Sequence, residues 1–273
     1  MSRPGRPSTV LFIPTYDEEG RIETVLARLT EVKHLVDEVV IVDDGSTDGT
    51  LREIAAAPVR CTVLRHETRR GLGEGFRTAY RHLLPRGHEV FAVFAGNGKD
   101  DPRDLPRVLG PILEGRADYV QGSRYNPAGG VSEGLPTHRN LAIRVFTTSI
   151  SLLYGKKLTD CSNGYRAYRT ALLKDPRVDW SAAWLGRSYQ IEIYLLLKAM
   201  MLGYRVTEVP VSKIYPKDAK PYSKARAIDW WNMLKPVVWC LFRLDRMARM
   251  SQDHAAVATL EQAGGNSSGA RLP

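Results

Sequence analysis

Ile41-Val42-Asp43-Asp44-Gly45-Ser46-Thr47-Asp48-Gly49-Thr50 decides how the rest of the chain is read. A short apolar run, Val39 to Val42, ends in two carboxylates; a Gly-Ser-Thr-Asp-Gly turn follows, and helical sequence begins. Apolar run, acidic tip, glycine-rich turn and helix describe the carboxyl end of a buried parallel strand. In open α/β sheets that end faces the ligand crevice. Carboxylates at such a tip suit ribose hydroxyls, base N–H groups or a cation better than a bare phosphate. The stretch points to a site for a nucleotide that carries a sugar.

Upstream, Val10 to Ile13 is a second apolar run, closed by Pro14-Thr15-Tyr16 and the acidic Asp17-Glu18-Glu19. Helical spacing follows at Ile22, Val25, Leu26 and Leu29. Downstream, a helix over 48–57 and a strand over 62–64 are expected. Gly71 to Gly75 then opens a helix over 76–84, and a strand over 89–94 ends at Ala95-Gly96-Asn97-Gly98. Strand and helix alternate throughout, which predicts a parallel sheet with right-handed crossovers. The second half is less regular. It carries strands over 119–121 and 204–211, helices over 141–154 and 189–202, and a polar and aromatic stretch over 159–168 that reads as cleft lining. Residues 213–224 read as a mobile basic loop. A last helix spans 228–250, and the small, polar, glycine-rich residues 251–273 read as disordered.

The chain has 273 residues, enough for one large α/β domain or two small ones. Its formal charge of +9, from 39 Lys+Arg against 30 Asp+Glu, favours acidic ligands: nucleotides, phosphates or an anionic membrane surface. The basic residues are dispersed and no nucleic-acid motif is present, so no nucleic-acid partner is expected. Three cysteines, Cys61, Cys161 and Cys240, are odd in number and lack metal-ligand spacing, which reads as a reducing, cytoplasmic compartment. Met1 to Ser8 has no apolar stretch behind it, so no secretory signal is expected. No run of about 18 apolar residues predicts a membrane span.

Several spaced stretches together resemble family 2 glycosyltransferases of the GT-A fold. They are Ile13 to Glu18, Val42 to Thr50, Gly71 to Ala79, Gly122-Ser123-Arg124-Tyr125, Asp160 to Arg169, and Gln190-Ile191-Glu192. Their order is most similar to the polyprenol-phosphate sugar transferases of the dolichol-phosphate mannosyltransferase type. The resemblance implies a GT-A type, Rossmann-like, mostly parallel sheet flanked by helices. It implies one catalytic domain over 8–225, a C-terminal amphipathic helix over 226–250 and a tail over 251–273. It also implies an inverting transfer from a nucleoside-diphosphate sugar.

By the same resemblance, Pro14, Thr15, Glu18, Asp43 and Asp44 hold the donor base and ribose, and Gly73 lies near the donor. Asp48 reads better as a helix cap, and the Gly71–Gly75 stretch by itself reads as a flexible helix entry or a phosphate cradle. Arg124, Arg139, Ser223 and Lys224, with Lys217 and Lys220 nearby, match the side that binds an anionic acceptor. That acceptor is polyprenyl phosphate or a small soluble molecule. A phosphate acceptor is already ionised and needs charge pairing and placement. A hydroxyl acceptor needs a general base, for which Asp160 or Glu192 is placed by motif. Arg166 and Arg169 read equally as structural ion-pair partners.

One departure stands out. Family members carry Asp-x-Asp at the end of the fourth strand, where it binds Mg²⁺ or Mn²⁺. Here those positions are Ala95 and Asn97, which argues against the metal. Three readings remain: a weak metal site on Asn97 and Asp101, a cation such as Lys99 at the diphosphate, or an inactive relative that binds nucleotide sugars. A nucleotidyltransferase or sugar-nucleotide hydrolase on a similar scaffold stands outside the family reading. The last helix interleaves Trp230, Trp231, Leu234, Val238 and Leu241 with Arg243, Arg246 and Arg249. It suits peripheral contact with the inner membrane face as well as packing on the domain.

Overall fold

Val10-Leu11-Phe12-Ile13 is apolar at every position because both faces of its strand are covered. The computed structural model describes residues 6–186, 188–215 and 227–242, with backbone only for 227–231. In it β1 (Thr9–Thr15) is an interior strand of a seven-stranded sheet. Side chains alternate across a strand. Val10 and Phe12 accordingly join one core cluster, and Leu11 and Ile13 join another on the opposite face.

The first half alternates as the sequence predicts. After β1 come α1 (Ile22–Leu29), β2 (Glu38–Asp43), α2 (Thr50–Ala56), β3 (Thr62–Arg65), α3 (Leu72–Leu83) and β4 (Val90–Val93). These four strands are parallel, with Thr15 level with Asp43 at the carboxyl ends of β1 and β2. Gly73 and Gly75 do not form a loop before α3: they occupy its first turns. Gly71, at φ 94°, is the residue that turns the chain into the helix. Gly75 faces Phe12 and Val42 of the sheet, with room for a Cβ at ordinary contact distance.

The second half adds α4 (Leu105–Leu113), β5 (Tyr119–Ser123), β6 (Val131–Glu133), α5 (Thr137–Tyr154), β7 (Arg166–Arg169), α6 (Ala171–Lys174), α7 (Gln190–Met201), β8 (Val206–Pro210), β9 (Ser212–Ile214) and α8 (Ala227–Leu241). The sheet order is β3-β2-β1-β4-β7-β5-β8. Two expectations are corrected here. Residues 159–168 do line a cleft, but they also feed β7, which is inserted antiparallel between β4 and β5. After α5 the chain is already at the carboxyl edge of the sheet, where Asp160 meets Arg124. It therefore enters the sheet from that edge and runs backwards. The basic segment from 213 is likewise not a loop at its start. β9 pairs in parallel with β6, and Asp100 bridges to Lys213.

Leu105, Val108, Leu109 and Ile112 of α4 join the same core cluster as Ile22, Leu26 and Leu29 of α1. α3 and α7 cover the other face; Phe76 and Tyr80 meet Phe91, and Tyr168 stacks on both Phe91 and Tyr119 at 5.2 and 5.3 Å. Phe146 and Ile150 of α5 and Val237 and Cys240 of α8 pack on this side too. The remainder of the expected C-terminal helix and the tail from 251 lie outside the described residues.

Candidate active site

The carboxyl ends of the strands gather residues from distant parts of the chain around one cavity. Pro14 comes from β1; Ala95, Asn97, Lys99 and Asp100 from the segment after β4; Arg124 from the end of β5; Lys213 and Tyr215 from β9 and just beyond it. α5 contributes Arg139, α7 contributes Glu192 and α8 contributes Met233. Five cations (Lys99, Arg124, Arg139, Arg166, Lys213) face two carboxylates (Asp100, Glu192), so the cavity is built for an anion. Leu72, Phe76, Val93 and Ile193 make the rest of the wall apolar.

Three buried ion pairs hold the cations in place. The Arg124 guanidinium donates to both Asp160 oxygens, Nε to Oδ2 at 2.6 Å and an Nη to Oδ1 at 3.2 Å, and its other arm donates to the Tyr215 hydroxyl at 2.7 Å. Asp160 is fully buried, and Arg124 is nearly so. The pair raises Arg124 above its ordinary value, against the opposing effect of burial. A carboxylate engaged in this way orients the arginine. The loop before Asp160 is fixed by Glu208 of β8, which accepts from the Thr159 and Asp160 backbone N–H groups at 2.7 and 2.9 Å.

Arg166 lies 3.5 Å from Glu192 and donates to the Glu192 carbonyl at 2.8 Å and the Tyr119 hydroxyl at 3.0 Å. Burial pushes the Glu192 carboxyl up, opposed by Arg166 and Lys213. Lys213 Nζ donates to Asp100 Oδ1 at 2.6 Å and to Asn163 Oδ1 at 3.1 Å.

Lys99 is 7% exposed, and its ammonium lies 5.3 Å from the centre of the Tyr215 ring. Burial, then the neighbouring Lys213, hold Lys99 down to about 7, while Asp100 and Glu18 pull it up. Its backbone is fixed on both sides: the N–H donates to Asn97 Oδ1 at 3.2 Å, and the carbonyl accepts from Ile214 of β9 at 2.9 Å. Gly96 permits the turn, because a Cβ there would stand 2.7 Å from Thr15 Oγ1 and 2.9 Å from Ile22 Cδ1.

The expected donor residues separate into two groups. Pro14 lines the cavity, and Thr15 and Asp43 stand side by side at the adjoining strand ends, both buried. Asp43 accepts from the Ser46 N–H at 3.3 Å and lies 3.6 Å from Arg65 Nε. Glu18 is ion-paired with Arg21 at 2.9 Å, and burial raises its carboxyl. Asp44 is engaged within the protein. It accepts from the backbone N–H groups of Arg70 and Gly71 at 2.8 and 2.7 Å and contacts His66 Nδ1 at 2.8 Å. Asp44 thus ties the loop before α3 to the tip of β2, and Gly73 lies beyond that tie in the first turn of α3.

On the acceptor side, Arg124, Arg139 and Glu192 line the cavity, and Asp160 lies behind Arg124. Ser223, Lys224, Lys217 and Lys220 lie outside the described residues. Sequence reading missed Lys213, Tyr215 and Glu208, while Asn163, within the stretch expected to line the cleft, accepts from Lys213. Lys213 and Tyr215 sit in a basic stretch that reads as surface, and only the pairing of β9 with β6 turns Lys213 inward.

A hard divalent cation is a poor fit at the strand end. It requires several oxygen ligands, but Ala95 offers none and Asn97 Oδ1 accepts from Lys99. Asp101 caps the turn after it, accepting from Arg103 N–H at 3.0 Å and from the Arg103 guanidinium at 2.7 Å, and does not line the cavity. Among the described residues no group of three His, Cys, Asp or Glu side chains is arranged to hold a metal.

Residues 10–175 match the sequence pattern of Glycosyl transferase family 2. The chain belongs to this family. It is a glycosyltransferase, and its sheet is of the GT-A type. It is 34% identical to the polyprenol monophosphomannose synthase of Mycolicibacterium smegmatis over 75% of this chain and 76% of that one. It is also 34% identical to the undecaprenyl-phosphate mannosyltransferase of Micrococcus luteus, over 74% and 81%. Among solved structures, the glucosyl-3-phosphoglycerate synthase of Mycobacterium tuberculosis in complex with UDP superposes with a TM-score of 0.62 at 21% identity, over 88% of this chain and 80% of that one. The same enzyme with Mn²⁺, UDP and glucosyl-3-phosphoglycerate gives 0.59 at 20%, over 84% and 80%. At that identity the likeness speaks for the fold alone. In this family 2 member the sheet positions the cavity where GT-A strands end. At the end of β4 the cavity presents Asn97 and Lys99.

Proposed function

We propose that this glycosyltransferase moves a sugar from a nucleoside-diphosphate sugar to polyprenyl phosphate, with inversion at the anomeric carbon. The observation that carries the reading is the excess of buried cations in a cavity with apolar walls. Such a site suits phosphate groups on both substrates. The names of the two bacterial relatives support polyprenyl phosphate as the acceptor.

In this reading Pro14, Thr15, Glu18 and Asp43 hold the base and ribose, while Asp44 and Gly73 shape the loop that borders them. Arg124, locked by Asp160, and Arg139 on the first turn of α5 hold the acceptor phosphate. An acceptor oxygen attacks the anomeric carbon in line. The bond from that carbon to the donor diphosphate breaks, and its electron pair leaves with the nucleoside diphosphate. The attacking phosphate is already ionised, so no proton has to be removed. Glu192, tied to Arg166, then shapes the cavity floor rather than acting as a base. The main contributions are placement and charge.

Peripheral contact with a membrane fits the surface. Leu141, Val145 and Leu152 recur on one side of α5 and are 63%, 57% and 80% exposed. Leu234, Val238 and Leu241 of α8 are also exposed. No helix among the described residues is long and apolar enough to cross a membrane. An apolar surface beside the cavity would let a lipid-linked phosphate reach Arg139 without leaving its bilayer.

The test is transfer of radiolabelled sugar from guanosine and uridine donors to undecaprenyl phosphate, with water-soluble alcohols in parallel. Lipid-linked product with inverted anomeric configuration by NMR is expected. Transfer to soluble alcohols alone would replace the lipid acceptor with a small-molecule one.

A further inference from the structure

The cavity holds more positive charge than an acceptor phosphate needs, and its placement is uneven. Asp100 compensates Lys213, Asp160 compensates Arg124 and Glu192 compensates Arg166. Lys99 and Arg139 line the same cavity; burial and the nearby Lys213 and Arg139 disfavour the Lys99 charge, while Asp100 and Glu18 favour it. Bringing ammonium groups together in a buried site is costly unless an anion comes between them.

Lys99 also occupies an informative place. It follows β4, four residues beyond Ala95 and two beyond Asn97, on the segment where an Asp-x-Asp pair would carry a cation. It is fixed there by Asn97 on one side and by β9 on the other. At that strand end Ala95 offers no oxygen, Asn97 Oδ1 accepts from the Lys99 N–H and Asp100 is paired with Lys213, while the Lys99 ammonium stands in the same segment.

We propose that Lys99, supported by Lys213, supplies the positive charge that neutralises the departing donor diphosphate, so that this family 2 enzyme binds its donor and transfers the sugar without a divalent metal. Lys99 keeps its protons through the step. It donates hydrogen bonds to the diphosphate oxygens as the electron pair of the broken carbon–oxygen bond moves onto them. Lysine serves phosphates as a point charge and does not need the ordered ligand shell of a metal ion. Lys213 shares the field and fixes Asp100, which would otherwise repel the diphosphate. The proposal rests on the transferase reading above, because it needs a nucleoside diphosphate at this site.

The experiment is a thermal-shift titration of the full chain with GDP, UDP, CDP, ADP and TDP, each in EDTA, in Mg²⁺ and in Mn²⁺. A ligand that binds only the native state raises Tm according to its affinity. One nucleotide is expected to raise Tm equally in all three conditions. Lys99→Met then weakens that nucleotide by roughly 10- to 100-fold in EDTA, the usual loss for a charged hydrogen-bond partner, and Lys99→Arg restores most of it. A shift seen only with Mg²⁺ or Mn²⁺ overturns the proposal and leaves the transferase reading standing. Unchanged affinity of Lys99→Met in EDTA also overturns it. No shift with any nucleotide in any condition overturns the donor-site reading, and the proposal with it. The metal comparison uses the unaltered protein, so it decides the question even where Lys99→Met does not fold.

Discussion

At the scale of single residues, chemistry and structure divide the acidic tip of β2 between two tasks. Asp43 and Asp44 are adjacent and look alike in the sequence. Asp44 accepts two backbone N–H groups and contacts His66, so its removal strands buried donors. Asp44→Ala is expected to lower stability by about 2–4 kcal/mol in urea unfolding without any nucleotide present. A variant that unfolds like the parent would return Asp44 to the donor. Lys99 carries a pH prediction. Its ligand-free value near 7 reflects burial and then Lys213, with Arg139 acting in the same direction against Asp100 and Glu18. A bound diphosphate favours the charged ammonium and raises that value, so binding takes up a proton as pH rises past 7. Nucleotide affinity should therefore be full below about pH 7 and fall above it, by up to about tenfold per pH unit. Isothermal titration between pH 6 and 9 measures this, and Lys99→Arg should flatten the profile.

At the scale of elements, β9 is a three-residue strand with large consequences. It pairs with β6, bonds the Lys99 carbonyl and delivers Lys213 to Asp100. Removing one partner of a buried ion pair leaves an uncompensated charge. Lys213→Met should cost about 3–5 kcal/mol, and adding Asp100→Asn should recover a good part of it. Chemical denaturation of the two variants tests the coupling; additive losses would show that the pair is not coupled. The turn after β4 has its own requirement. Gly96→Ala would press on Thr15 and Ile22, and a loss of about 1–3 kcal/mol is expected from overpacking, read as a fall in Tm. Elements also differ in how visible they were in sequence. β1, β2 and β4 are apolar on both faces and read directly as buried strands. β7, Arg166-Ala167-Tyr168-Arg169, begins and ends with charge, and its central position depends on Glu192, Tyr119 and Asp118 as partners for its arginines. α4 contains Pro106, Gly110 and Pro111, which obscured a helix that the core nonetheless accepts.

At the scale of the whole molecule, the cavity and the exposed apolar residues of α5 belong to one arrangement. Arg139 is in the first turn of α5 and lines the cavity, while Leu141, Val145 and Leu152 face outward along the same helix. Replacing Leu141 and Leu152 by Glu should weaken binding to anionic lipid vesicles by about a hundredfold or more in co-sedimentation, since each buried apolar side chain contributes about 1.5–3 kcal/mol to such contact. Transfer to a short-chain, detergent-soluble polyprenyl phosphate should persist. Unchanged sedimentation would remove α5 from the membrane contact.

The amino-acid sequence alone determined the alternating α/β order, the acidic strand tip, the net positive charge and the loss of the Asp-x-Asp pair. All of these are local: apolar runs, turn chemistry and residue identity do not depend on distant partners. The membership of Lys213, Tyr215 and Glu208 in the site, the division of labour between Asp43 and Asp44, and the reversed direction of β7 were decided only by the tertiary structure. The physical reason is that a charged side chain becomes an interior residue only when folding supplies its counter-charge. Those counter-charges lie far away in sequence, as Asp100 does for Lys213, Asp160 for Arg124 and Glu192 for Arg166.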